Sequence, residues 1–143
     1  MTFLLDVNVL IALIDPLHVQ HNAAHDWFAA LGRDSWATCP ITENGVLRIV
    51  GHPNYSNSPG TPAAVAPLIA GLRDLPGHVF WPDSISLLDS ARFDTGRLLT
   101  ASQVTDSYLL GLAKDHGGQL ATLDRRLVTD AVLGGPQYLH LVS

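Results

Sequence analysis

The stretch Phe3-Leu-Leu-Asp-Val-Asn-Val-Leu-Ile-Ala-Leu-Ile-Asp-Pro16 sets Asp6 inside a mostly apolar run that closes on Asp15-Pro16. Phe3 to Leu5 reads as a short buried strand. Val9 to Ile14 is ambiguous between strand and helix by periodicity alone, and Pro16 ends it. Asp6 therefore stands at the end of the first strand. A carboxylate there either caps the next helix or carries a site, because ligand sites in open α/β sheets lie beyond the carboxyl ends of strands. The arrangement recurs once, where Leu120 to Leu123 reads as a strand leading directly into Asp124.

Between and around these strand ends the chain alternates. A helix is expected from about His21, with Ala24, Trp27, Phe28 and Leu31 at helical spacing and Gly32 as its stop. Trp36 to Cys39 is a strand, and Pro40 opens a helix closed by Gly51. The loop His52 to Gly60 is rich in Asn, Ser and Pro. Thr61-Pro62 caps and starts a helix running to about Leu75. His78 to Trp81 is the third strand, and Ser84 or Ser86 is a candidate cap for the segment through Arg92. After an irregular stretch from Phe93 to Ser102, a periodic helix runs from about Val104 to His116 and stops at Gly117-Gly118. A short helix is expected from Asp124 through Ala131, and Tyr138 to Val142 supplies the fifth strand. Strands separated by helical stretches predict an α/β fold, a mostly parallel five-stranded sheet flanked by helices as an α/β/α sandwich, with residues 1–143 as a single domain.

Hydrophobic residues make up 47% of the chain and charged residues 15%, which argues against disorder. The apolar stretch Leu4 to Ile14 has no basic residue before it and carries Asp6 within it, so neither a signal peptide nor a membrane span is expected. The single cysteine, Cys39, has no partner for a disulfide, and the cytoplasm is the default compartment. The formal net charge of −5 argues against a generic nucleic-acid binder held by phosphate attraction.

Two further acids sit where surface charges do not belong. Glu43, the only glutamate in the chain, shares its helical row with Val46, Leu47 and Val50. Asp106 begins the most periodic helix and shares a row with Leu109, Leu110 and Ala113, with Thr105 as a candidate cap. Each of Asp6, Glu43, Asp106 and Asp124 alone has a structural excuse as a cap or a dipole partner. Gathered in one pocket they would repel each other and require cations. An all-oxygen set suits Mg2+ or Mn2+, and such a site lends itself to phosphodiester hydrolysis.

The segments Leu4 to Leu13, Thr42-Glu-Asn-Gly-Val-Leu-Arg48, Thr105-Asp-Ser-Tyr-Leu-Leu-Gly-Leu-Ala113 and Leu120-Ala-Thr-Leu-Asp-Arg125 resemble, in order and over nearly the whole chain, the PIN-domain family and its VapC toxins. The resemblance implies a PIN-like fold and a Mg2+- or Mn2+-dependent endoribonuclease acting on tRNA, rRNA or other structured RNA. It also implies a homodimer restrained in a toxin-antitoxin complex by a VapB-like antitoxin. Asp6, Glu43, Asp106 and Asp124 match the family's acidic quartet, with Asp6 and Asp106 as the foremost metal ligands. Asn8, Thr105 and Thr122 are supporting positions beside it, and Arg97 is a candidate RNA contact. His21 and His25 have helical ligand spacing, but with His18 they read better as a solvated helix face. A haloacid-dehalogenase-type phosphatase wants a second acid where this chain has Asn8, and a receiver domain wants a lysine at a late strand end, whereas the only lysine is Lys114. A phosphatase-type phosphoryl hydrolase, despite that poor fit, and a non-catalytic PIN-like module that binds RNA or a partner are the alternatives.

Overall fold

The computed structural model describes residues 1–142. Five strands, β1 (Phe3–Leu5), β2 (Trp36–Thr38), β3 (His78–Phe80), β4 (Gln119–Thr122) and β5 (Leu139–Leu141), form one sheet in the order β3-β2-β1-β4-β5. All four pairings are parallel. Parallel sheets bury both faces, and alternation along the strands divides the core accordingly. Phe3, Leu5, Trp36 and Ala121 pack on one side against helices α1 (Val7–Ile14), α2 (His21–Ala30), α3 (Pro40–Val50) and α4 (Pro62–Arg73). Leu4, Ala37 and Leu120 face α5 (Gln103–Asp115), Trp81 and Phe93 on the other. The result is the expected three-layer arrangement.

The ambiguous run after Asp6 is a helix. Its residues Val9 to Leu13 are all buried, because α1 is wedged between the sheet, α2 and α3 and has apolar neighbours around most of its circumference. Its carboxyl end is held by several groups. Asp15 is buried and accepts hydrogen bonds from the Tyr55 hydroxyl (2.5 Å), Asn57 Nδ2 (3.0 Å) and the Leu17 amide (3.0 Å). Burial alone would raise the Asp15 carboxyl, but these donors outweigh it and hold it below its ordinary value. His21 and His25, their rings tilted with centroids 4.3 Å apart, bond the carbonyls of Ala12 and Leu13 at 2.6 and 3.0 Å. The pair thus covers a helix end while His25 stays exposed to solvent.

Two expected helical segments are turns. Past Trp81, Ser86 does cap something, but it is a single turn, with its hydroxyl accepting from the Leu88 amide (3.1 Å). After Asp124 the chain buries Leu127 and Ala131 and forms an antiparallel bridge between Phe93 and Val132, with the Asp94 amide donating to Ala131 (2.9 Å). Tertiary pairing there overrides local helical preference. Helix α5 starts at Gln103, so Thr105 lies inside its first turn and does not cap it.

Candidate active site

Strand order reverses at β1, which has β2 on one side and β4 on the other. Chains leaving neighbouring strands in opposite directions open a crevice beyond the carboxyl ends at that point. The residues that leave β1 and β4 here are Asp6 and, two positions after Thr122, Asp124.

Asp6 is both cap and site residue, which dissolves the alternative posed by its position in the sequence. One carboxylate oxygen, Oδ1, accepts from the Val7 amide at 2.8 Å and starts α1. The other, Oδ2, accepts from the hydroxyl of Thr122 at 2.8 Å, a buried bond that spans 116 residues of sequence. Thr122 in turn accepts from the Asp124 amide at 3.1 Å, so one fully buried hydroxyl aligns both strand-end aspartates. Asp124 Oδ1 accepts from the Arg126 amide at 2.9 Å. Burial pushes the Asp6 carboxyl up; the Thr122 and Val7 donors oppose this, and the neighbouring Asp124 charge adds to it. Asp106, half-buried in the first turn of α5, is pushed up to about 6 by burial and by the charges of Asp6 and Asp124.

Asp6 and Asp106 line an open cleft of about 420 Å3, and the Asp124 charge acts on both. Asp6, Asn8, Ile41, Asn44, Gly45, Arg48, Thr105 and Asp106 are on its walls. Among the described residues, no salt bridge joins any of the three to a base. Nor do three His, Cys, Asp or Glu side chains close into a cage around one point. An open all-oxygen array suits Mg2+, which keeps several waters and takes one or two carboxylates together with phosphate oxygens. Asp6 and Asp106, both on the cleft, could contribute carboxylates to such an ion, whereas Asp124 is not on its walls.

Glu43 is placed differently from the expected quartet. Its carboxylate accepts from the Thr38 hydroxyl (2.7 Å) and pairs with Arg73 Nη1 (3.2 Å), on the side of β2 and β3. With its one proton given to Glu43, Thr38 is left to accept from His78 Nε2 at 2.7 Å. Burial and the nearby Arg73 charge keep His78 below its ordinary value. Glu43 does share its row with the buried Val46 and Val50, but that row meets α4. The adjacent row of α3, carrying Ile41, Asn44 and Arg48, is the one that meets the cleft.

Asn8 and Thr105 are exposed on the cleft walls. Arg97 is not on the cleft. It pairs with Asp94 (3.1 Å) beside a separate cavity lined by residues 90–97 and 129–136. Arg48 and Asn44 were not singled out from the sequence, although their four-residue spacing inside the quoted Thr42 to Arg48 segment was a usable signal.

A family model described as the PIN domain matches residues 3–130. Ribonuclease VapC44 of Mycobacterium tuberculosis is 42% identical over 143 residues, covering 100% of this chain and 99% of its own. Ribonuclease VapC39 of the same organism is 42% identical over 134 residues, 94% of this chain and 96% of its own. A crystal structure of Mycobacterium tuberculosis VapC20, titled a Sarcin-Ricin loop cleaving toxin, aligns over 85% of this chain and 87% of that one. Its TM-score is 0.57 at 15% identity, a likeness of fold.

Proposed function

Because the chain belongs to the PIN-domain family, among its VapC ribonucleases, we propose that the aspartate cleft is its catalytic centre and that RNA hydrolysis there depends on Mg2+ or Mn2+. The chain is a PIN endoribonuclease toxin. What supports the metal-dependent reading is the convergence of Asp6, Asp106 and Asp124 on one crevice, with Asp6 and Asp106 pushed up by burial and by their acidic neighbours. Such a cluster is poorly stabilised until positive charge enters it.

Asp6 and Asp106 would hold a divalent cation, which would supply charge to offset the phosphate and would make water a better nucleophile. The protein's own groups do the rest. Thr122 and the Val7 amide fix both oxygens of Asp6, so its carboxylate is oriented before substrate arrives. Asp106, half-buried in the first turn of α5, presents the second carboxylate of the cleft. Asn8 and Thr105 offer hydrogen bonds from the rim. Glu43 supports the site from outside, by engaging Thr38 and Arg73.

The test is cleavage of a structured RNA by nuclease-free protein with and without Mg2+ or Mn2+. Activity is expected only with metal, lost on chelation and lost in Asp6→Ala. Cleavage that persists in chelator would sink the metal-dependent mechanism, and RNA bound but left intact would favour the non-catalytic alternative. Restraint by a VapB-like antitoxin and assembly as a homodimer belong to the same proposal. Light scattering of the chain alone and with a VapB-type protein reads both, and a monomer indifferent to the antitoxin would contradict them.

A further inference from the structure

The cleft is built from acids, yet its substrate is a polyanion, so something other than the aspartates must hold the RNA backbone. Arg48 is the one base among the residues lining it. Its side chain is exposed and, among the described residues, it enters no salt bridge, whereas Arg73, Arg92 and Arg97 are each paired with acids. One turn earlier on the same row of α3, Asn44 is also exposed and also lines the cleft.

The packing that puts this row there is specific. Gly45, between them, is buried against α1, and a Cβ added to it would lie 2.7 Å from Val7 Cγ2. The missing side chain lets α3 approach α1 one residue past Asp6. Asn44 and Arg48 therefore share a cleft with Asp6, Asn8 and Asp106.

We propose that Arg48, with Asn44, is an RNA-binding element of the cleft that grips the backbone phosphate and places the neighbouring ester at Asp6 and Asp106. The planar guanidinium can donate two parallel hydrogen bonds to phosphate oxygens, and the Asn44 amide can add one more. Arg48 also lies in the last turn of α3, where a positive charge complements the helix dipole. That alone would serve on any face of the helix, and it gives Asn44 no reason to share the row.

The inference rests on the RNA-hydrolysing reading of the same cleft, so its test separates binding from cleavage. A fluorescent single-stranded oligoribonucleotide is titrated, in Mg2+ and over a range of salt, into Asp106→Asn protein with Arg48 intact, changed to Ala or changed to Lys. Loss of one charged contact should weaken binding about tenfold in the Ala variant. It should also flatten the slope of log affinity against log salt by about 0.7, one phosphate's share for a single strand. The Lys variant should recover the slope and only part of the affinity. In otherwise wild-type protein, Arg48→Ala should raise KM more than it lowers kcat. Equal affinity and equal salt slope in the Ala and parent proteins, both folded by circular dichroism, would overturn the assignment. If instead the wild-type chain fails to cleave RNA while the Arg48 effect on binding persists, it is the hydrolytic reading that fails.

Discussion

Asp106 shows what the site costs the fold. Its carboxyl stands at about 6, against 3.8 ordinarily, because burial comes first and the charges of Asp6 and Asp124 add to it. Between about pH 4 and 6 the folded chain thus holds more protons than the unfolded one, so metal-free stability falls as pH rises through that window and levels off above it. Asp106→Asn removes this titration. In chelator, urea unfolding should show the variant gaining on wild type from pH 4 to 6 and keeping a constant lead beyond, on the order of 1 kcal/mol once solvent screening is allowed for. A lead that does not change with pH would mean that Asp106 is not under this pressure. Thr122 makes the complementary case. Thr122→Val keeps the shape but deletes the bond to Asp6 and the acceptor for the Asp124 amide. Metal affinity or kcat/KM should drop roughly 10- to 100-fold, as for other groups that orient ligands. Unfolding free energy should fall by only about 1 to 2 kcal/mol.

Helices α1 and α3 decide which side chains meet. Gly45→Ala would gain up to about 1 kcal/mol in helix propensity. The new methyl, however, meets a β-branched valine with little freedom to turn away. Net destabilisation of about 1 to 2 kcal/mol by denaturant unfolding is expected, along with reduced RNA cleavage, and Val7→Ala in the same chain should restore much of both. If Gly45→Ala stabilises the protein, the helices are not in close contact there. The elements also mark what the sequence could convey. Strand ends, proline starts and glycine stops were legible because each is a local backbone preference. The row facing the cleft was not, since α3 has an apolar row on α4 and a polar row on the cleft, and periodicity reports only the first. Glu43 was drawn to the wrong neighbour for that reason. The segments 84–92 and 124–131 look helical in isolation, but both form turns, and the chain just beyond each pairs Phe93 with Val132.

At the scale of the whole molecule, the order β3-β2-β1-β4-β5 turns two distant strand ends into one crevice. The sequence displayed both aspartates and their α/β setting, but not the strand order that makes β1 and β4 neighbours. Loading that crevice with metal should stabilise the fold by mass action. At a hundredfold excess over Kd, Mg2+ adds about 2.7 kcal/mol, visible as a raised Tm in wild type and absent in Asp6→Asn. An equal rise in both would place the stabilising ion elsewhere. Helix α1, which carries Asp6, is fastened at both ends. Thr122 ties its start to β4, while Tyr55 and Asn57 tie Asp15 to a loop some forty residues away and two histidines cover its last carbonyls. A segment secured in this way has no route for opening by itself. In hydrogen exchange the amides of α1 should therefore open only with the entire domain, at the slowest rates the protein shows, while the amides of the 52–60 loop exchange by local fluctuation.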